Sequence, residues 1–234
     1  MKRPDYTNQI RKRIEATNAG TVFVTADFTD IAEKKTVNMA LLRLAEEGIL
    51  RKAMFGVYYK YGVYLMSDLP VLISPDDIAY ALARNFGWTI VPCGKAALYT
   101  LGLSKEFPLE WIFVTDGAYK EYDYNGFTIK FKHTASKDIS KLSCETAIVI
   151  QVLKELGREN VTDETIDRLK NFLRPDIKAR MLLEATATTA WVYKVIKNIC
   201  KDDWRKTTAD ILVHKPKCLL FLRDENLTPS PADM

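Results

Sequence analysis

The chain has 234 residues, of which 47% are hydrophobic and 27% charged, and this composition is that of a globular protein with about two domains. No apolar run reaches the roughly 18 residues that a membrane helix needs, and the segment MKRPDYTNQIRKRIE has no apolar signal core, so we exclude a membrane protein and predict a cytoplasmic one. The net charge of +4 lies in the N-terminal quarter, because residues 1–60 contain 11 basic and 7 acidic residues while residues 61–234 contain 23 of each. This asymmetry favours a phosphate-facing N-terminal module, although a mildly basic end of a basic protein fits it nearly as well.

The first two predicted helices flank a short strand. Residues 5–17 carry apolar side chains at helical spacing, namely Tyr6, Ile10 and Ile14. Gly20 is predicted to be a left-handed cap, and a short strand follows at residues 21–24. A second helix, capped by Thr25 or Asp27, then turns Phe28 and Ile31 toward the core.

A third helix is predicted after the turn Glu33-Lys34-Lys35, with Thr36 as its cap and Gly48 as its stop signal. One face of this helix is apolar and consists of Val37, Leu41 and Leu44, with Ala40 and Ala45 at its edges. The opposite face is mixed and consists of Lys35, Asn38, Met39, Leu42, Arg43 and Glu46. Two short strands then meet at Phe55-Gly56, which predicts a β-hairpin.

A helix packed on a second helix and followed by a basic hairpin is typical of a winged helix-turn-helix, a fold that binds double-stranded DNA. The candidate DNA-binding residues lie in the third helix and in the hairpin, and they are Lys34, Lys35, Thr36, Asn38, Met39, Arg43, Arg51, Lys52, Tyr59 and Lys60. Arg43 can pair with guanine and Asn38 with adenine, while Thr36 can donate to a phosphate. Taken alone, Arg43 is at least as well explained as a solvated charge on an amphipathic helix.

The same residues carry a resemblance to a known family. The motifs are a Thr-x-Asp-Phe entry at residues 25–28, an Arg-Leu-x-x-x-Gly-Ile helix end at residues 43–49, and a Gly-x-Tyr-Tyr strand at residues 56–59. They resemble the N-terminal domain of the AbiE-type antitoxins of bacterial type IV toxin–antitoxin systems, which act in abortive infection. The resemblance is close over the first quarter, looser through residue 104, and departs from the family pattern at Leu42 and Phe55. It implies a transcription regulator that binds its own promoter and opposes a nucleotidyltransferase-like toxin.

The larger C-terminal part reads as strands followed by helices. Residues 75–86 predict a helix with Ser74 as cap, and residues 88–91 a short strand ended by Pro92. Alternating runs at 109–115, 119–124 and 127–133 are separated by Asp-Gly and Asn-Gly turns, which predicts an antiparallel sheet. Helical periodicity follows at 142–157, 162–173, 176–186 and 188–200. We therefore predict an α+β protein with a winged helix at 1–66, an α+β domain at 67–206 and a loosely held tail at 207–234.

Motifs for catalysis and for cofactor or metal binding are weak in this sequence. Gly94-Lys95 does not complete a phosphate-binding loop, because Thr89 and Ala96 stand where Gly and Ser or Thr are required. An acid–base site near Asp116 and His133 has no motif behind it. We predict that the chain is not an enzyme and binds neither a metal ion nor a cofactor. The four cysteines, predicted to be free thiols, are Cys93, Cys144, Cys200 and Cys218.

The sequence leaves two hypotheses for function. The first is a DNA-binding regulator that acts as a monomer or a homodimer. The second is a protein-interaction module, in which the apolar residues Met39, Leu42 and Phe55 dock a partner protein instead of DNA.

Overall fold

A computed structural model of the chain describes residues 5–64, 69–134, 139 and 141–201. The protein is α+β, with helices and two β-sheets. The described chain forms two compact units, of which the first contains the residues up to Ile90 together with Glu121–Ile129 and the second contains Val91–Lys120 and the residues from Lys130 onward. The domain limits at residues 66 and 206 stay predictions, and the predicted tail at 207–234 lies outside the described residues, as do His214 and Cys218.

The first unit contains four helical segments and a three-stranded antiparallel sheet in the order β1-β3-β2. Its helices are α1 (Tyr6–Glu15), a 3₁₀ helix (Thr25–Phe28), α2 (Lys34–Glu46) and α3 (Pro75–Phe86). The strands of this sheet are β1 (Val22–Val24), β2 (Leu50–Met54) and β3 (Val57–Lys60). The predicted cap of α3 is confirmed, because the Ser74 hydroxyl accepts a hydrogen bond from the Asp77 amide at 3.1 Å.

The core of the first unit lies between α1, α2 and the sheet. Of the side chains predicted to point inward, those of Ile10, Ile14, Phe28, Val37, Leu41 and Leu44 are buried there together with Phe23, Leu50 and Tyr58, whereas Ile31 is only partly buried. Helix α3 packs against β1 and the 3₁₀ helix. The Arg84 guanidinium holds this contact, donating to the Asp27 carboxylate at 2.9 Å and to the Val22 carbonyl at 3.0 Å. The residues that pack α1 and α2 on the sheet thus follow the predicted apolar periodicity.

Two predicted helix starts are wrong in detail. The second helix is a four-residue 3₁₀ helix, and neither Thr25 nor Asp27 is its N-cap, because that position is Val24. The Asp27 carboxylate instead accepts from the Val24 amide at 2.9 Å, which tightens this turn. Helix α2 starts at Lys34 with Glu33 as N-cap, so Lys34, Lys35 and Thr36 lie in its first turn, whereas the sequence predicted a loop ending in a Thr36 cap.

The remaining strands form a four-stranded sheet in the order β4-β5-β7-β6. These strands are β4 (Ile90–Cys93), β5 (Glu110–Thr115), β6 (Lys120–Tyr124) and β7 (Phe127–His133), and α4 (Gly94–Thr100) follows β4. The predicted Asn-Gly hairpin is confirmed, with φ values of 47° at Asn125 and 84° at Gly126. Pro92 lies inside β4 and does not end it, because β4 is an edge strand and an edge tolerates the missing amide donor.

The second unit is built on the four helices α5 (Cys144–Leu156), α6 (Asp163–Phe172), α7 (Pro175–Glu184) and α8 (Ala190–Ile199), each predicted within about two residues. Their apolar faces share one core with Val91, Ala97 and Leu101. Cys93 and Cys200 are free thiols, but Cys144 is disulfide-bonded, so the prediction of a free thiol is wrong there. No helix of the described residues combines the length and the apolar character needed to span a membrane.

Replacement of two glycines by alanine distinguishes the cost of backbone strain from the cost of a steric clash. Gly20 (φ +82°) and Gly48 (φ +79°) both adopt left-handed backbone. A Cβ at Gly48 meets nothing within 4 Å, whereas one at Gly20 lies 2.8 Å from Val71 Cγ1. We expect Gly48→Ala to lower the free energy of unfolding by about 1–2 kcal/mol, and Gly20→Ala by about 1–3 kcal/mol more. Urea denaturation measures both, and equal losses would contradict the predicted clash.

Candidate nucleic-acid interface

Helix α2 separates an apolar face from an exposed polar one. Val37, Ala40, Leu41 and Leu44 are buried, which fixes the rotation of the helix about its axis. The predicted DNA-binding residues of this helix are therefore all exposed, and they are Lys34, Lys35, Thr36, Asn38, Met39 and Arg43. The Asn38 carboxamide oxygen accepts a hydrogen bond from the Thr25 hydroxyl, which orients the side chain. Sequence reasoning missed this bond, because no local pattern connects residues 13 positions apart.

The N-terminus of α2 has the electrostatics of an anion site. The Glu33 side chain makes no capping hydrogen bond to the described backbone, and the Glu33 carbonyl accepts the first helical bond, from the Val37 amide at 3.0 Å. Lys34 and Lys35 place two cations in the first turn, where the helix dipole already provides positive potential. Repulsion between these cations and the helix dipole destabilises the isolated protein by about a few tenths of a kcal/mol. A phosphate bound at this end would be attracted by both the cations and the dipole.

Several basic residues of the first unit are used within the fold. The Arg11 guanidinium pairs with Glu47 at 2.5 Å, and the Arg13 guanidinium donates to both carboxylate oxygens of Asp30, at 2.8 and 2.7 Å. The hydrogen bond from Arg13 lowers the pKa of Asp30 below its ordinary value, and the same bond raises the pKa of Arg13. Arg11 thus joins α1 to the C-terminal end of α2, and Arg13 joins α1 to the turn that precedes α2.

The cations of α2 and β2 have a different environment. Among the described residues, no carboxylate lies within 4.0 Å of the charged groups of Lys34, Lys35, Arg43 or Lys52. All four side chains are exposed. The positive charge that the fold leaves unneutralised therefore includes that on the exposed face of α2 and on the adjoining strand β2. Lys12 on α1 is a further exposed cation. Glu33 and Glu46 lie near the two ends of α2 and offset part of this charge.

The β2–β3 hairpin orients two further predicted residues. The Arg51 guanidinium lies 3.6 Å from the ring centroid of Tyr61, and the Lys52 ammonium lies 5.7 Å from that of Phe55. Lys52 is opposite Tyr58, which belongs to the core and whose pKa burial raises. Lys52 thus lies near the tip of the hairpin and Arg51 toward its open end, and both remain exposed.

Two predicted residues do not join this surface. Tyr59 is opposite Val22 and Arg51, on the sheet face away from the core residue Tyr58, as strand alternation requires. Burial raises the pKa of Tyr124, and Tyr59 and Asp77 raise it further, so Tyr59 lies near Tyr124, on a strand that contacts α3. The Lys60 ammonium donates to the carbonyls of Glu15 at 2.8 Å and Thr17 at 2.6 Å, and so caps the end of α1.

Replacement of Lys60 by methionine tests this structural role. Because the ammonium makes two hydrogen bonds to helix-end carbonyls, we expect a loss of about 1.5–3 kcal/mol in the free energy of unfolding. Thermal and urea denaturation measure the change. Lys12→Met, which removes one exposed cation from α1, is the matched control and should change the free energy by less than about 0.5 kcal/mol. Equal stabilities of the two variants would mean that the Lys60 bonds contribute nothing.

In the described part of the second unit, the side chains that could act in catalysis or bind a metal ion form no comparable surface. His133 Nδ1 lies 2.8 Å from the Gly117 carbonyl oxygen, a bond that closes the loop after β5. Burial raises the pKa of the Cys93 thiol to about 11, which keeps it protonated and unreactive. No group of three or more His, Cys, Asp or Glu side chains suited to a metal ion occurs within the described ranges.

Comparison with known proteins adds a family assignment. Residues 9–181 match the family described as a family of unknown function, DUF6088. The chain belongs to the DUF6088 family. The match includes α2, the β2–β3 hairpin, α5, α6 and most of α7, so both compact units of this DUF6088 protein contribute to it. No curated protein matches the chain.

Proposed function

We propose that residues 6–60 of this DUF6088 protein are a winged helix that binds double-stranded DNA, with α2 in the major groove. The observation that carries the proposal is the exposed face of α2, where Lys34, Lys35 and Arg43 have no carboxylate partner among the described residues. The element order of helix, strand, helical turn, helix and hairpin supports it, as does the sheet order β1-β3-β2.

The proposed interface divides into base-reading and phosphate-binding residues. Arg43 donates to guanine, and Asn38, oriented by Thr25, contacts a neighbouring base edge. Met39 and Leu42 are 48% and 42% exposed, and they are apolar partners for thymine methyl groups. Lys34, Lys35 and the Thr36 hydroxyl bind phosphate at the helix N-terminus, while Arg51 and Lys52 bind it from the hairpin. Tyr59 and Lys60 have no part in this interface, because their side chains are engaged elsewhere in the first unit.

Salt dependence of DNA binding tests this proposal. The full chain is titrated with fluorescent duplexes that tile the DNA upstream of its own gene, and binding is followed by anisotropy. If Lys34, Lys35, Arg51 and Lys52 each neutralise one phosphate, the logarithm of affinity falls with a slope of about −3.6 against the logarithm of salt concentration. Affinity should then drop about 100-fold between 50 and 200 mM salt. Absence of binding, or binding that salt does not weaken, would reject the proposal.

Two finer proposals rest on the resemblance to AbiE-type antitoxins. In the first, the protein represses its own promoter. The expression of a reporter gene fused to the upstream DNA measures this repression. In the second, it opposes a nucleotidyltransferase-like toxin. Co-expression with a neighbouring gene of that class measures whether the chain relieves the toxicity. Repression that Arg43→Ala leaves intact would contradict the first proposal, and toxicity that the chain fails to relieve would contradict the second.

A second candidate function is protein binding through the same module. The observation that favours it is the exposure of Phe55, 92% accessible, together with Met39 and Leu42. A partner protein that contacts all three side chains would cover them as one apolar patch. Light scattering and a pull-down distinguish the two functions. A stable protein complex that Leu42→Ser disrupts, combined with absence of DNA binding, would favour the protein-binding function.

A further inference from the structure

The tip of the β2–β3 hairpin has an unusual composition. Only Phe55 and Gly56 connect the two strands, and Gly56 has φ +75°, which suits a tight turn. Phe55 is 92% exposed, the largest fraction among the exposed large apolar side chains of the described residues. Polar or small residues normally occupy such a tip, because water solvates the turn. The fold therefore presents an aromatic ring at a position where packing does not require one.

The surroundings of Phe55 are cationic. Its one described ring contact is with the Lys52 ammonium, 5.7 Å from the ring centroid. Arg51 precedes Lys52 and stacks on Tyr61 at 3.6 Å, which restricts the guanidinium to few orientations. An exposed apolar ring beside the Lys52 cation suits a surface that is anionic at its edges and apolar within. The edge of a DNA base step, bordered by phosphates, has this character.

The dimensions of the hairpin also suit DNA. Neighbouring strands lie about 4.8 Å apart, so the two-stranded hairpin itself is too wide for the minor groove, which is about 6 Å wide, but the single exposed Phe55 ring at its tip can enter that groove. Apolar side chains that enter this groove act as wedges, since they separate two stacked base pairs and bend the duplex. Pyrimidine–purine steps such as TA unstack most easily, whereas A-tracts resist.

We propose that Phe55 is a DNA-bending wedge, which enters the minor groove at a flexible base step while Arg51 and Lys52 hold the flanking phosphates. This proposal rests on the proposed DNA-binding function. It assigns to the hairpin tip a contact that depends on the deformability of the DNA and not on the edges of individual bases. It also accounts for Phe55 without a protein partner.

The test compares bending with binding. The probes are two 30-base-pair duplexes with a donor and an acceptor dye at their ends, one with TA steps at its centre and one with an A-tract. We expect the wild-type chain to bring the ends of the TA duplex together, as for a bend of about 20–90°, and to prefer it to the A-tract duplex by about tenfold. Phe55→Ala should still bind both duplexes, but with no bend and no preference. Phe55→Leu, which keeps an apolar wedge, should restore part of the bend.

Each outcome decides between the proposals. Binding by the wild-type chain without bending, or a bend that Phe55→Ala retains, overturns the wedge and leaves DNA binding intact. Absence of binding to either duplex overturns both proposals. A circular dichroism melt identical to that of the wild type confirms that Phe55→Ala is folded, as expected for a side chain that is 92% exposed.

Discussion

Arg43→Ala is expected to weaken binding to the preferred upstream duplex by about 1–3 kcal/mol, which is a loss of about 5- to 150-fold in affinity. The reason is that Arg43 is exposed on α2 and has no carboxylate partner in the described part of the chain, so its guanidinium is available to a guanine edge. Because this contact reads sequence, the variant should lose preference for the upstream duplex over a scrambled one. Anisotropy titrations with both duplexes measure this loss.

Lys52→Ala is the informative comparison, since a phosphate contact weakens all duplexes alike and reduces the salt slope by about one. Lys12→Ala removes the same charge from α1 and should change neither affinity nor preference appreciably. If Arg43→Ala and Lys52→Ala weakened the two duplexes equally, Arg43 would be one more phosphate contact. If neither variant weakened binding, α2 and β2 would not be the interface.

Phe28→Ala is expected to lower the free energy of unfolding by about 3–5 kcal/mol, a large part of the 5–15 kcal/mol that stabilises a typical domain. Phe28 is fully buried, and its ring lies 5.6 Å from that of Phe23 and 5.8 Å from the Arg13 guanidinium. Removal of the ring leaves a cavity where the 3₁₀ helix, α1 and α2 meet. Urea denaturation followed by circular dichroism measures the loss.

Phe55→Ala is the matched control for this prediction. It removes the same ring from a position that is 92% exposed, so the free energy of unfolding should change by less than about 0.5 kcal/mol. A loss of stability in Phe28→Ala as small as that expected for Phe55→Ala would show that Phe28 is not in the core. A large loss in Phe55→Ala alone would show that the hairpin tip packs against another part of the protein.

The sequence predicted those parts of the fold that depend on local chemistry. Apolar spacing located α1, α2 and the helices α5–α8, because a buried helix face repeats with the helical period. Gly20 was predicted as a left-handed cap and Gly48 as a helix stop, and both have positive φ. Asn125-Gly126 was predicted as a hairpin turn because few other dipeptides accept two positive φ values, and the structure confirms it.

Sequence reasoning was less successful where distant residues decide the outcome. The Lys60 ammonium binds the carbonyl of Glu15, 45 positions earlier, and Arg11 binds Glu47, 36 positions later. A count of charges in residues 1–60 does not show which cations the fold neutralises and which it leaves exposed. The exposed face of α2 was predicted because it depends only on helical spacing.

The first compact unit is discontinuous along the chain, and this has a consequence for its synthesis. The segment Glu121–Ile129 belongs to that unit, although Val91–Lys120 does not. After Ile90 has been added to the growing chain, the ribosome must still add residues 91–129 before the unit is complete. At typical bacterial speeds of synthesis this takes roughly 2–8 s. During that interval the nascent chain contains α1, α2 and the β2–β3 hairpin without the segment that completes their unit. We expect a stalled nascent chain that ends before residue 121 to be cleaved faster by protease than one that has released residue 129.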